Sequence, residues 1–258
     1  MLLTSATIIT FNEEKKIARC LRSVAALVDE IVVVDSFSTD RTQEICCASE
    51  FAHKMKFIQH PFAGHIQQKN YALEIATHPH ILSLDADECL DEELQKEILK
   101  ALQNWQGDGY IFNRLTNYNG HWVRHCGWYP DKKLRLWDRR KGRWGGVNPH
   151  DIVEMQEGTR CTHLAGNILH YSYDSIADHM QQTNSFTSIS ARALHSKGVQ
   201  SNILKITLRP IWQFFRDYIL LSGFRDGLYG FVICSINAMS VFLKYAKLWD
   251  LTRHKNGP

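Results

Sequence analysis

The chain has 258 residues, 44% of them hydrophobic, which is enough for a large buried core and excludes an intrinsically disordered protein. The formal net charge of +3 is too small to predict a nucleic-acid-binding protein. A mild positive charge does suit an anionic ligand or a membrane surface.

Strands and helices are predicted to alternate through the first part of the chain. The run at 6–10 is short and β-branched, and the run at 31–34 is continuously apolar, as in a parallel strand covered on both faces. Between them, Asn12 is predicted to cap a helix. The further predicted elements are a helix after Asp40, a strand at 56–58, a helix at 67–76 and a strand at 81–84.

This order predicts an α/β fold with an open, mostly parallel central sheet and flanking helices. The ligand crevice of such a sheet lies beyond the carboxyl ends of its strands. Asp35, Asp85 and Asp87 follow two of the predicted strands, so we expect all three at one edge. The chain contains neither GxGxxG nor GxxxxGK[ST], which argues against a dinucleotide fold and a P-loop kinase.

Two carboxylates separated by one residue, Asp85 and Asp87, leave the strand at 81–84. A divalent cation such as Mg²⁺ or Mn²⁺ prefers hard oxygen ligands and can bridge a carboxylate to a diphosphate. This DxD pattern is weak by itself. Acids in a loop are often solvated or cap the next helix, which is predicted to begin near Asp91.

Four segments together resemble the inverting family 2 glycosyltransferases, which have the GT-A fold. In chain order they are Thr10-Phe11-Asn12-Glu13, the IVVVDSFSTD run at 31–40, Gln68-Lys69-Asn70 and Asp85-Ala86-Asp87. The chain is more narrowly similar to bacterial β-glucosyltransferases that act on the inner-core heptose of lipopolysaccharide, because TFNEE, VDSFSTD and GGVNPHD occur together. The resemblance implies transfer of a hexose, glucose in the narrower comparison, from a UDP-sugar to a lipopolysaccharide-core or related glycan.

The resemblance assigns a nucleotide pocket to the first two strand ends. Asp35 would accept a hydrogen bond from the base or ribose, with Thr10, Phe11 and Glu13 lining the same pocket. The alternative for Asp35 is a strand-end aspartate that caps the next turn.

The resemblance also implies the residues that would hold the diphosphate and a Mg²⁺ or Mn²⁺ ion. Lys69 would meet the diphosphate as a point charge, and Asp85 would face the donor ribose or sugar. Asp87 would ligate the metal, and His170 lies at the interval where related enzymes place a histidine on the metal or diphosphate. A solvated lysine and a structural histidine are the alternatives.

An inverting transfer needs a general base to take the proton of the acceptor hydroxyl. The candidate is Asp151, in a glycine- and proline-punctuated turn at 145–151. Glu154 remains open as the alternative base.

The segment at 109–144 is rich in aromatic and basic residues and is predicted to face the acceptor. Its cations could grip a phosphorylated saccharide while aromatic rings stack on sugars. Single-stranded nucleic-acid binding and a packed aromatic core are the alternatives. The basic residues of this segment are Arg114, Arg124, Lys132, Lys133 and Arg135.

We predict a catalytic domain at 1–173 and a helical region at 174–258. The stretch at 227–243 is uncharged but only 17 residues long, which favours an in-plane or packed helix over a membrane span. Basic and aromatic residues in this region suit docking at the cytoplasmic face of a membrane, where a lipid-anchored glycan acceptor is found. A packed helix pair or a homo-oligomer interface is the alternative. The odd number of cysteines, seven without a CxxC pair, predicts reduced thiols in a cytoplasmic protein.

Two rival functions stay open at this point. Transfer to a polyprenyl phosphate would also explain the apolar C-terminal region, and a phosphate acceptor hardly needs a base. A non-catalytic nucleotide- or glycan-binding module would keep the fold without the reaction.

Overall fold

A computed structural model describes residues 2–148 and 150–253, with the backbone alone described at His150. Its first four strands form the parallel part of a large sheet. They are β1 (Thr4–Thr10), β2 (Glu30–Asp35), β3 (Met55–Gln59) and β4 (His80–Asp85). They lie in the order β3-β2-β1-β4, and each neighbouring pair is parallel.

Four helices connect or follow these strands: α1 (Ile17–Ala25), α2 (Thr42–Cys47), α3 (His65–Ile75) and α4 (Glu92–Gln103). The predicted cap at Asn12 is wrong, because α1 begins five residues later at Ile17. Asn12 has a left-handed backbone with φ of 54°, and its side-chain oxygen accepts a hydrogen bond from Thr39 N at 2.8 Å. The predicted start of a helix near Asp91 is confirmed, since α4 begins at Glu92 and the Asp91 carboxylate accepts a hydrogen bond from Leu94 N at 2.8 Å.

Antiparallel pairs extend the sheet beyond β4. The additional strands are β5 (Glu88–Leu90), β6 (Gly109–Tyr118), β7 (His121–Val123), β8 (Asp131–Asp138), β9 (Gly142–Val147), β10 (His150–Met155) and β11 (Cys161–Tyr173). The main sheet has the order β3-β2-β1-β4-β8-β6-β11-β5, with β7 on β6, whereas β9 and β10 form a separate antiparallel hairpin.

The parallel strands are covered on both faces, as the continuous apolar run at 31–34 predicts. Val33 packs into a cluster with Leu21 of α1 and Ile98 of α4. Val32, the preceding residue, packs with Ala72 of α3 on the other face. The sheet with helices on both sides holds the strand ends in fixed positions, which a site at those ends requires.

The chain divides into two compact units. One comprises Met1–Leu115 and Asp131–Tyr171, and the other Thr116–Pro130 and Ser172–Pro258. The second, helical unit contains α5 (Ile176–Ser196), α6 (Ile203–Phe215), a π-helical turn (Arg216–Leu220) and α7 (Gly227–Arg253). The domain boundary at 173 stays a prediction.

Candidate active site

The carboxyl ends of three parallel strands bring the predicted acidic residues to one edge of the sheet. β1 lies between β2 and β4, and its parallel pairing places Thr10 opposite Asp35 and Ile9 opposite Asp85. Asp35 and Asp85 therefore lie at the same end of the sheet, two strands apart, and Asp87 follows just beyond β4.

Lys69 joins this edge to the hairpin. Its side chain is only 3% exposed, and Nζ lies 2.9 Å from Asp85 Oδ1 and 2.7 Å from Asp151 Oδ2. The centroid of the Trp144 ring lies 4.5 Å from the same nitrogen. A buried ammonium needs carboxylate partners, so Lys69 holds the predicted base next to the DxD motif.

Glu88 and Arg135 fix the shape of the DxD loop. Glu88 is fully buried, and its Oε2 accepts a hydrogen bond from Asp85 N at 3.0 Å. Arg135 Nη2 lies 3.0 Å from Glu88 Oε1 and 3.2 Å from Asp85 Oδ2. Arg135 Nε and Nη1 are buried and have no hydrogen-bond partner among the described residues.

Sequence reasoning missed both of these roles. Glu88 directly follows the motif, which was the available signal, whereas Arg135 was considered only among cations for the acceptor. Arg114, another of those cations, also contacts carboxylates of the protein. Its Nη1 lies 3.3 Å from Glu88 Oε1, and its Nη2 lies 2.7 Å from Asp131 Oδ2. These two arginines neutralise site carboxylates in this structure.

The cations keep Asp85 ionised. Burial would raise the pKa of Asp85, but the charges of Lys69 and Arg135 outweigh it and hold that pKa well below its ordinary value. Burial would likewise lower the pKa of Arg135, and the carboxylates of Glu88 and Asp85 raise it instead. Asp85 and Arg135 are therefore both charged at neutral pH.

Asp87 and His170, the two predicted metal ligands, lie side by side. His170 Nε2 is 3.2 Å from Asp87 Oδ2, and Tyr171 N donates a hydrogen bond to Asp87 O at 2.9 Å. Burial would raise the pKa of Asp87, but the His170 imidazole lowers it below its ordinary value. His170 Nδ1 is buried without a hydrogen-bond partner in the described part of the chain.

This oxygen and nitrogen pair fits a divalent cation chemically. Within residues 2–148 and 150–253, no group of three or more His, Cys, Asp and Glu side chains is placed to hold a metal. A cation at Asp87 and His170 would therefore need its remaining ligands from a bound nucleotide and water. Mg²⁺ is commonly held in this way, by one or two carboxylates and substrate phosphates.

The alternation of β10 separates the two candidate bases. Asp151 is partly buried against Lys69, whereas Ile152 and Glu154 are exposed. Glu154 Oε1 accepts a hydrogen bond from Gly146 N at 2.9 Å, across the hairpin. The predicted turn at 145–151 is largely strand, since β9 continues to Val147 and β10 begins at His150; Pro149 and the His150 side chain lie outside the described residues.

An amide side chain attaches the hairpin to α3. Asn70 Nδ2 donates to Trp144 O at 2.9 Å, and Asn70 Oδ1 accepts from Trp144 N at 3.1 Å. Asn148 Oδ1 accepts from Ile66 N at 3.0 Å, near the start of the same helix. These bonds hold β9 beside Lys69.

Asp35, which was predicted to line the nucleotide pocket, forms its hydrogen bonds within the protein. Asp35 is fully buried and accepts hydrogen bonds from Ser38 N at 2.9 Å and from Ser38 Oγ at 2.5 Å. This is the capping geometry that the sequence left as an alternative, and the nucleotide role of Asp35 stays a prediction. Thr10 is buried at the end of β1, and Phe11 is exposed directly after it. Glu13 Oε2 lies 3.7 Å from Lys16 Nζ.

These features define an α/β protein of the GT-A type with a charged site at the carboxyl edge of its parallel strands. The chain belongs to glycosyl transferase family 2, whose family model matches residues 5–167. The predicted family, fold class and enzyme class are thereby confirmed.

The similar proteins include both sequence relatives and solved structures. An uncharacterized glycosyltransferase of Rickettsia felis is 32% identical, over 98% of this chain and 92% of that protein. The lipopolysaccharide core biosynthesis glycosyltransferase LpsC of Rhizobium meliloti is 29% identical, over 95% of this chain and 92% of LpsC. A mannosyltransferase of Pyrobaculum calidifontis, solved with GDP-Man and Mn²⁺, has the same fold at a TM-score of 0.54 and 15% identity, covering 96% of this chain and 87% of that one.

Proposed function

We propose that this glycosyltransferase moves a hexose, glucose in the first instance, from a UDP-sugar to a lipopolysaccharide-core or related lipid-anchored glycan, with inversion at the anomeric carbon. The observation that carries the proposal is the double contact of Lys69 with Asp85 and Asp151, because it brings the DxD motif and a base together. The full-length similarity to LpsC supports the acceptor class.

Asp151 would act as the general base. It would take the proton of the acceptor hydroxyl while that oxygen forms a bond to the anomeric carbon and the bond from this carbon to the diphosphate oxygen breaks. Its position in β10 favours it over Glu154, which lies on the exposed face of the same strand.

The donor site would be formed by Lys69, Asp85 and the two proposed metal ligands. Asp87 and His170 would hold a Mg²⁺ or Mn²⁺ ion, because they offer an oxygen and a nitrogen ligand side by side. The Mn²⁺ in the similar mannosyltransferase supports the use of a divalent cation. Such an ion, when bound, neutralises charge that develops on the departing diphosphate. Lys69 would contact the diphosphate by giving up one of its two carboxylates, and Asp85 would face the donor ribose or sugar.

Thr10, Phe11, Glu13 and Asp35 remain our candidates for the nucleotide pocket. The exposed ring of Phe11 lies at the carboxyl end of β1, where a nucleotide base could stack on it. The protein would work in the cytoplasm, peripherally at the inner face of the cytoplasmic membrane, where its acceptor would be anchored.

A panel of nucleotide-sugars tests the donor and the metal together. The protein is incubated with UDP- and GDP-sugars, with and without Mn²⁺, and nucleotide diphosphate release and thermal stability are measured. We expect one UDP-hexose to raise the melting temperature only when the metal is present. Donor stabilisation that is equal without metal would contradict the roles of Asp87 and His170.

Asp151→Asn separates the proposed acceptor from a polyprenyl phosphate. A sugar hydroxyl must lose its proton to attack, whereas a phosphate acceptor is already ionised. Near-normal turnover of Asp151→Asn would therefore favour the phosphate acceptor.

A further inference from the structure

The outer face of α6 carries an unusual amount of exposed apolar surface. None of the residues of α6, all of which the structure describes, is buried. We define the C-terminal apolar surface by six side chains that are between 45% and 67% exposed: Leu204, Leu208, Ile211, Trp212, Phe215 and Ile219. Single exposed apolar residues are ordinary, but a contiguous set marks an interaction surface.

The spacing of these residues places them on one side of the helix. Leu204, Leu208, Ile211, Phe215 and Ile219 recur at intervals of three and four residues, which is the period of a single helical face. The opposite side of α6 packs within the helical unit, where Phe214 and Ile206 lie against buried residues. The apolar surface is therefore additional to the face that stabilises the unit.

The charges near this surface are distributed unevenly between interior and exterior. Both acidic residues of the segment at 203–231, Asp217 and Asp226, are buried at 1% and 6% exposure. Asp217 accepts hydrogen bonds from Gln213 at 2.8 Å and Asn237 at 3.2 Å. The outward-facing charges of this segment are consequently cations.

Those cations are Lys205, Arg209, Arg216 and Arg225, of which Arg216 is paired with Asp217, with 2.8 Å between Nη2 and Oδ1. A helix with Leu, Ile, Trp and Phe on one face and basic residues beside them is typical of segments that lie in the plane of a membrane surface. The exposed cations would meet the phosphates of anionic lipids, an attraction that salt screens.

A second copy of the chain fits this surface less well. A two-fold symmetric interface brings the same patch of both subunits together, so a patch bordered by Lys205 and Arg225 would meet a second patch that carries the same charges. Like charges at an interface oppose association. An anionic lipid surface supplies the opposite charge.

The neighbouring helix supports an in-plane position rather than a span. The segment Gly223–Arg253 is long and apolar enough to cross a membrane, judged by length and composition alone. However, α7 buries side chains such as Ile233, Cys234 and Leu248 within the helical unit. Lys247 on its last third donates hydrogen bonds to Asn184 O at 2.7 Å and Ser188 Oγ at 2.8 Å of α5. These contacts give α7 a packed position beside α5.

We propose that the C-terminal apolar surface docks in the interfacial plane of an anionic lipid bilayer, with α6 parallel to the membrane. This inference deepens the proposed function, because it names the surface that would hold the enzyme beside a lipid-anchored acceptor. Lipid binding itself can be measured without any sugar transfer.

Co-sedimentation with vesicles tests the proposal on the full chain. Two vesicle compositions are compared: phosphatidylcholine alone, and phosphatidylcholine with one third replaced by phosphatidylglycerol. We expect binding to the anionic vesicles, weakened by salt, and a loss of roughly tenfold or more in partitioning for the double variant Leu208→Gln, Ile211→Gln. Leu99→Gln is the matched control, since Leu99 is exposed on α4 in the other unit.

Two further measurements keep the outcomes distinct. Circular dichroism and thermal unfolding check that the double variant folds, and nucleotide diphosphate release with a lipid-free acceptor glycan checks that its site is intact. Equal sedimentation of the wild type and the double variant overturns the proposal. A second outcome also overturns it: the wild type is a dimer in sedimentation equilibrium, the double variant is a monomer, and neither binds vesicles. That result would make this face a self-association surface. Vesicle binding by a chain that transfers no sugar would support the docking surface while contradicting the proposed function.

Discussion

The first compact unit, which contains the parallel strands, differs from the helical unit in where it places charged and apolar side chains. In the first unit, the buried charges gather at the strand ends and pair with one another, as Lys69 does with Asp85. In the helical unit, buried Asp217 lies inward while Ile211 and Trp212 face outward. Paired buried charges are typical of a polar site in a protein surrounded by water. Apolar side chains that face outward are typical of a surface that contacts an apolar partner.

The largest expected effect tests whether the strand-end site carries the chemistry. Asp151→Asn removes the proposed base and should lower kcat by about 10³, within the usual range for general-base catalysis. Glu154→Gln, on the exposed face of the same strand, should stay close to wild type. Steady-state assays of nucleotide diphosphate release measure both. The reverse pattern would assign the base to Glu154.

The next effect compares a buried acid in each unit. Glu88→Gln leaves Arg135 buried with one carboxylate fewer and should reduce the free energy of unfolding by roughly 3 kcal/mol. Asp217 also pairs with Arg216, whose Nη2 lies 2.8 Å from Asp217 Oδ1, but the Arg216 side chain is 44% exposed and water can replace the lost carboxylate. Asp217→Asn should therefore cost less, about 1 kcal/mol, because an amide oxygen can still accept hydrogen bonds from Gln213 and Asn237. Urea unfolding measures both variants. Equal losses would show that the two buried acids are held in the same way.

A histidine in the helical unit should make its stability depend on pH. Burial lowers the pKa of His179 to about 4, so the unfolded chain, with a pKa near 6.5, takes up a proton that the folded chain refuses. Stability is then complete above pH 6.5 and is lost as the pH falls towards 4. Between pH 7 and 5 this amounts to about 2 kcal/mol. His179→Gln should remove that part of the pH dependence in urea unfolding, and an unchanged profile would contradict the assignment.

The smallest effect concerns the start of α6. Asn202 Oδ1 accepts a hydrogen bond from Lys205 N at 2.9 Å and caps the helix. Asn202→Ala should lower the free energy of unfolding by about 1 kcal/mol, whereas Asn202→Asp should retain most of it. Thermal unfolding in the absence of lipid compares the two. If Asp is no better than Ala, the cap does not stabilise the helical unit.

Local patterns in the sequence were sufficient for most of the fold. The continuous apolar run at 31–34 predicts a strand covered on both faces, and the structure has helices against both sides of β2. Asn12 was misassigned because its side chain bonds to Thr39, which lies 27 residues further along the chain. A cap motif cannot reveal such a competing partner.

The candidate site was partly predictable for a similar reason. Asp85 and Asp87 stand out as acids at the end of a strand, and Asp151 as an acid in a segment punctuated by glycine and proline. Arg135 does not, because one arginine in a strand of basic and apolar residues shows nothing about which carboxylates it will meet. Its contacts with Asp85 and Glu88 depend on the pairing of β4 with β8, which is a property of the folded sheet.

The side-chain amide of Asn70 anchors the β9–β10 hairpin to α3. A two-stranded hairpin is marginal in isolation, and Asn70 gives β9 the pair of main-chain contacts that a third strand would provide. Residues on the outer face of β9 and β10 could therefore be exchanged without altering the contact between Asp87 and His170. Under the proposed function, the hairpin would be an exchangeable platform that fits different acceptors to one unchanged donor site.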